Sequence, residues 1–249
     1  MDGRVWPARL PSVKDRTLAP LNLSPVTELL PAAVLWDMDG TLVDTEPYWL
    51  TAEAELVASF GGTWTHEDGL MLVGSGLWHA AGILQHRGVD LAEDEIVNRL
   101  TDRVMEQIET GVAWRPGALE LLAELRDAGI PTALVTMSIR RMAEHVSSFI
   151  PFTAFDQIVA GDSVTHSKPH PEPDLLGAEL LGVDAVHCVA IEDSTTGLAS
   201  AVAAGAIAIG VPLHSPLEHG RGYTIWPTLG GRGISDISEL LQSNRTDAA

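Results

Sequence analysis

The chain has 249 residues, 45% of them hydrophobic, and 34 Asp and Glu against 15 Lys and Arg give it a formal charge of −19. That apolar content fills one sizeable core, or a core with a smaller unit attached. The charge argues against nucleic acid and anionic membrane surfaces as partners, since both are drawn to basic patches, and no apolar run is long enough to span a bilayer.

The first thirty or so residues carry Pro7, Pro11, Pro20 and Pro25 and no continuous apolar stretch. They do not read as a signal peptide. Residues 1–30 are expected to form a poorly ordered or loosely docked arm. Ala33–Trp36 then reads as a short buried strand, ending in Asp37-Met-Asp39-Gly40. Residues 47–115 hold helical patterns at 49–60, 76–85 and 93–109 and no clear strand, so they read as a helical insert. Strand-like and helix-like runs alternate after it. Residues 118–128 predict a helix closed by Gly129, and Thr132–Thr136 a strand. Gln157–Ala160 follows as a strand, 173–181 as a helix and Cys188–Ile191 as a strand. Residues 196–204 predict a helix closed by Gly205, and Ala206–Ile209 a fifth strand. Beyond Val211 the tail is rich in Gly, Pro and His, and only 234–241 is expected to be ordered. Short, continuously apolar strands suit a parallel sheet covered on both faces. The expected fold is α/β: a doubly wound, Rossmann-like parallel sheet built from 31–46 plus 116–249, with the insert 47–115. Cys188 is the only cysteine, so no intrachain disulfide forms, and the chain fits a reducing, cytoplasmic compartment.

Ligands of such sheets sit at the carboxyl ends of the strands. Those ends supply Asp37 and Asp39, Thr136 and Ser138, and Glu192 and Asp193, with Ser167-Lys168-Pro169 between the third and fourth strands. Carboxylates crowded this way cannot all stay ionised without a cation. Mg²⁺ is a hard ion that takes oxygen ligands, and it is commonly held by one or two carboxylates together with a phosphate. Lys168 is a point charge suited to that phosphate, Thr136 a hydroxyl donor. Aspartate is an established nucleophile toward phosphorus, and a second carboxylate can protonate the leaving oxygen and then activate water. Asp37 and Asp39 fit those two roles.

Four features, in order, resemble the haloacid dehalogenase-like hydrolases: Asp37-Met-Asp-Gly-Thr41, Thr136, Lys168-Pro169 and Glu192-Asp-Ser194. The resemblance implies Asp37 as nucleophile and Asp39 as acid and base. It implies Mg²⁺ held by Asp37, the Asp39 carbonyl and Asp193 with Glu192 assisting, and a phosphoryl group held by Thr136 and Lys168. Met137 stands where Asn or Ser is common, which leaves its backbone N–H for phosphate. The insert resembles the helical cap of the branch containing β-phosphoglucomutase, phosphoglycolate phosphatase and hexose-phosphate phosphatases. The mutase branch has His where this chain has Trp49 and Arg where it has Leu77. The expectation is therefore a monomeric Mg²⁺-dependent phosphatase of a small phosphorylated metabolite, a sugar phosphate for preference. A sugar-phosphate mutase is the alternative, and a non-catalytic binding module a third.

The remaining polar residues have plainer readings. Ser138 and Ser194 read as caps or turn formers. Asp44 and Glu46 either shape the loop or touch substrate. His79, His86, His166 and His170 show no metal-ligand spacing and read as surface or loop, and Arg140-Arg141 as a solvated helix face. Trp49, Trp64 and Trp78 read as core, with room for one of them to line a pocket.

Overall fold

The computed structural model describes residues 29–247, so most of the arm expected over 1–30 lies outside it. Six parallel strands form one sheet: β1 (Ala33–Trp36), β2 (Thr132–Val135), β3 (Gln157–Val159), β4 (Cys188–Glu192), β5 (Ile207–Gly210) and β6 (Tyr223–Ile225), in the order β3-β2-β1-β4-β5-β6. Five were expected. The sixth, β6, falls in the tail where only a helix was foreseen. It is a three-residue edge strand, half-buried throughout, so it lacks the continuous apolar run that marks the inner strands.

Helices α1 (Glu46–Ser59), α2 (His66–Leu70), α3 (Leu77–His86) and α4 (Glu93–Ile108) stand between β1 and β2, followed by α5 (Ala118–Asp127). Helices α6 (Arg140–Ser148), α7 (Glu172–Leu180), α8 (Thr195–Ala204) and α9 (Ile234–Asp247) complete the chain. The one-turn α2 was not foreseen. Thr65 and Asp68 form a reciprocal capping box at its start.

Alternation along the strands sorts the core into two layers. Ala33, Leu35, Ala133, Val135, Ala190 and Ala208 pack on one side with Ala178 of α7 and Leu198, Ala201 and Ala204 of α8. The small side chains let α7 lie against β1, β2 and β3, and α8 against β4 and β5. Val34, Trp36, Leu134, Val189, Ile191 and Ile209 face the other way, toward α5, α6 and α9, in a cluster continuous with the apolar faces of α1, α3 and α4.

Strand order reverses around β1: β2 and β3 extend the sheet on one side, β4 to β6 on the other. Trp36 pairs with both Leu134 and Ile191, so the three central strands end in step. The residues just past those ends are the ones singled out for chemistry. The chain leaves the sheet for α1 and returns beside its own exit. Asp44 N–H donates to Ala113 O at 2.8 Å, and Arg115 N–H to Leu42 O at 3.0 Å.

Leu134 is fully buried in the sheet centre and Leu175 on α7 is 46% exposed. Leu134→Ala should cost about 2–5 kcal/mol of unfolding free energy, and Leu175→Ala less than about 0.5 kcal/mol. Urea denaturation distinguishes them, and equal midpoints would contradict the layer assignment.

Candidate active site

Strand pairing runs one residue into the site. Asp37 N–H donates to Ile191 O at 3.0 Å and Thr136 N–H to Val159 O at 2.9 Å, which fixes the backbone on both sides of the switch in strand order. After Asp39 the chain turns at Gly40, whose φ of 86° is left-handed. A Cβ there would stand 2.1 Å from Asp193 Oδ2, so glycine is needed for the turn and for the carboxylate beside it. Gly197, in the first turn of α8, is needed for a second carboxylate: a Cβ would meet Glu192 Oε2 at 2.0 Å.

Lys168 is buried among these groups. Its Nζ donates to Asp37 Oδ1 at 3.0 Å, to Val135 O at 2.7 Å and to Glu192 Oε1. Burial alone would lower its pKa, but the Asp37 and Glu192 carboxylates hold it above the ordinary lysine value. Carboxylate oxygens of Asp37, Glu192 and Asp193 lie within 4.8 Å of one another. Burial first, and then the neighbouring carboxylates, push all three above the usual carboxylate range, Glu192 and Asp193 furthest. Glu192 Oε2 is buried with no hydrogen-bond partner. An all-oxygen set with an orphaned acceptor and too little positive charge fits a hard divalent cation.

Asp39 lies outside that trio. Its Oδ1 accepts from Thr45 Oγ1 at 2.5 Å and Trp49 Nε1 at 3.2 Å, its Oδ2 from Ser138 Oγ at 2.8 Å and Thr136 Oγ1 at 3.2 Å. Thr45 precedes α1 yet gives its hydroxyl to Asp39 rather than to the helix's free N–H groups. The Thr136 hydroxyl, expected on phosphate, donates to Asp39 here and accepts from Ser138 N–H. Ser138 is therefore more than a turn former. Ser194 is the N-cap foreseen for α8, accepting from Gly197 N–H at 3.0 Å. Met137 lines the cavity beside Lys168, whose backbone N–H points at its sulfur at 3.4 Å.

One cavity is lined by Asp37, Asp39, Thr136, Met137, Lys168 and Asp193 below and by residues of the insert above. Glu46, Trp49 and Glu53 of α1 stand at positions i, i+3 and i+7, so one helix face looks onto the site. Glu46 thus faces the cavity, whereas Asp44 pairs with His214 at 2.8 Å. Glu53 and His214 also line the cavity, though neither is among the residues expected from the sequence. The 46/49/53 spacing was a usable signal for Glu53. Nothing in the tail marked His214. Glu53 is buried, and its Oε2 accepts from Trp64 Nε1 at 2.9 Å. Burial, and to a smaller extent Glu46, push it up to about 8. Glu46 is pushed up to about 7, again mainly by burial.

His166 and His170 are exposed loop residues, as expected, but they converge: their rings stack with centroids 4.5 Å apart beside the half-buried Glu172. The Glu172 carboxylate accepts the backbone N–H groups of Thr165 and His166, which closes the loop that carries Lys168. Arg141 is not merely solvated. It donates to Asp102 Oδ1 at 2.6 Å and to Asn98 O at 3.1 Å, tying α6 to α4.

Residues 34–211 match the model of a family described as haloacid dehalogenase-like hydrolase. Hexitol phosphatase B of Escherichia coli is 32% identical over 190 residues, covering 72% of this chain and 83% of that one. The fructose-1-phosphate phosphatase YqaB of the same organism is 32% identical over 184 residues, covering 73% and 97%. CbbY from Rhodobacter sphaeroides, solved with xylulose-(1,5)bisphosphate, superposes with a TM-score of 0.76 at 29% identity, over 83% of this chain and 98% of that one.

Glu53 keeps a proton in the folded chain that the unfolded chain has lost, so stability falls as pH rises from the ordinary value of 4.5 through about 8. The slope is at most about 1.4 kcal/mol per pH unit. Glu53→Gln retains an oxygen for the Trp64 indole and removes the titration. Its melting temperature relative to the unsubstituted chain should rise from pH 5 to about pH 8 and then level off. A pH-independent difference would refute the buried, protonated state of Glu53.

Proposed function

Because the chain belongs to the haloacid dehalogenase-like hydrolases, we propose that it is a Mg²⁺-dependent phosphatase of small phosphorylated metabolites, sugar phosphates above all. The observation that carries this reading is the contrast between its two aspartates. Asp37 is an acceptor beside Lys168 in the carboxylate trio, whereas Asp39 is set apart by four donors. Environments that differ this much divide roles between like residues.

Asp37 attacks phosphorus in line, and the P–O bond to the leaving alcohol breaks as Asp39 gives that oxygen its proton. The phosphoryl group now rests on Asp37. Asp39 then takes a proton from water, the water oxygen bonds to phosphorus, and the bond to Asp37 breaks, releasing inorganic phosphate and restoring both residues. Lys168 offsets negative charge on Asp37 and the phosphoryl oxygens, while the Thr136 hydroxyl and the Met137 N–H hold those oxygens. Asp37, the Asp39 carbonyl and Asp193, with Glu192 assisting, would hold Mg²⁺, which supplies further neutralisation of the phosphoryl charge. Residues 47–115 act as a cap that shuts water out of the core formed by 31–46 plus 116–249. The protein works as a monomer, and in the cytoplasm, a reducing compartment with which its single, buried thiol is consistent.

The names of the relatives at 32% identity support a sugar or sugar-alcohol phosphate as substrate, and hydrolysis over phosphoryl shift. Asp37→Asn should lower kcat for phosphate release by roughly 10³-fold or more, with the far-UV circular dichroism unchanged. EDTA should abolish turnover and added Mg²⁺ restore it. Undiminished release by Asp37→Asn would sink the covalent route. Conversion of β-glucose 1-phosphate to glucose 6-phosphate in the presence of a bisphosphate primer, with no free phosphate, would favour the mutase.

A further inference from the structure

Lys168 is the one Lys or Arg among the described residues lining the cavity, against five carboxyl groups: Asp37, Asp39, Glu46, Glu53 and Asp193. His214 is tied to Asp44. Lys168 is already committed to the floor, where Asp37, Glu192 and the Val135 carbonyl accept its hydrogen bonds. The far wall, formed by α1, the end of α2 and the segment into α3, offers Glu46, Glu53 and Ser75 beside apolar Trp49, Leu72 and Leu77. A second phosphate reaching that wall would find no cation and two carboxyl groups.

Glu53 is the best-prepared member of the wall. Its Oε2 is fixed by the Trp64 indole, and among the described residues Oε1 accepts no hydrogen bond. The carboxyl is thus oriented by one oxygen and free at the other. A carboxyl group accepts from a hydroxyl when ionised and donates to one when protonated, so either state can read an alcohol. With burial holding the pKa near 8, both states are accessible around neutrality.

We infer that Glu53 is the residue that reads the neutral, hydroxyl-bearing half of the substrate, so that the enzyme accepts polyol monophosphates and turns away bisphosphates. This rests on the phosphoryl site proposed above and adds what lies at the other end of the molecule. It also separates this pocket from CbbY, which was solved with a bisphosphate. A site built around a hydroxyl discriminates strongly, because a group that cannot satisfy it leaves a buried polar atom unpaired.

The test compares kcat/KM for fructose 1-phosphate, fructose 1,6-bisphosphate and p-nitrophenyl phosphate with Mg²⁺, the last reporting on the phosphoryl site alone. The unsubstituted chain should prefer the monophosphate over the bisphosphate roughly 10²-fold. Glu53→Gln keeps the shape and the Trp64 bond but cannot ionise, and should narrow that preference about tenfold at pH 9, where Glu53 is charged, and little at pH 6, where it holds its proton. Glu53→Leu removes the polar group and should lower the ratio of fructose 1-phosphate to p-nitrophenyl phosphate about tenfold or more. Circular dichroism melts of both variants establish that each is folded. Turnover of the bisphosphate on a par with the monophosphate overturns the inference, as do unchanged ratios in both folded variants. Failure to hydrolyse any of the three esters overturns the phosphatase reading itself, and this proposal with it.

Discussion

The buried ammonium of Lys168 is the charge around which the carboxyl edge of the sheet is organised. Stripping an ammonium of water costs several kcal/mol, recovered only when good acceptors surround it. Asp37, Glu192 and the Val135 carbonyl supply them, and they come from the ends of three different strands. Their approach requires β2, β1 and β4 to end in step, which the register of Trp36 with Leu134 and Ile191 provides. The reverse dependence also holds, since three buried carboxyl groups with oxygens within 4.8 Å of one another need that positive charge. The edge is still short of positive charge with Lys168 in place, and this deficit makes it receptive to a cation.

The two aspartates one residue apart illustrate how backbone geometry divides chemistry. An extended strand would send positions i and i+2 to one face, but β1 ends at Trp36 and the chain turns at Gly40, so Asp37 falls among carboxylates and Asp39 among hydroxyls and an indole. Two of Asp39's donors, Thr45 and Trp49, come from the entrance to α1, and two, Thr136 and Ser138, from the end of β2. Its carboxylate therefore joins the helical insert to the sheet through side chains, independently of the apolar packing that also links them.

Much of this was legible in the sequence because burial writes itself into composition. The inner strands are covered on both faces, so Ala33–Trp36, Thr132–Val135 and Cys188–Ile191 stand out as apolar runs, and the polar residues following each could be assigned to one edge. β6 escaped for the converse reason: at the margin of the sheet Tyr223, Thr224 and Ile225 are each half-buried, and no periodicity survives. Asp37, Asp39, Thr136 and Asp193 could be gathered by their places at strand ends, and Lys168 by its place in the connection between the third and fourth strands. The upper wall could not, because Glu53 resembles any other acid on a helix until α1 is seen to lie over the site. His214 reaches the cavity from an irregular tail, by a path that no local pattern encodes.

The side-by-side exit and return of the chain at Leu42–Asp44 and Ala113–Arg115 has an evolutionary consequence. The rungs that join these two crossings are made by the backbone, so they place little demand on side-chain identity. What hangs between them can lengthen, shrink or be replaced while the sheet edge keeps its spacing. Selection can thus remodel the helices between the crossings and the sheet edge as separate heritable parts, with Trp49 and Thr45, the Arg141–Asp102 pair and the shared apolar cluster carrying a change in one to the other.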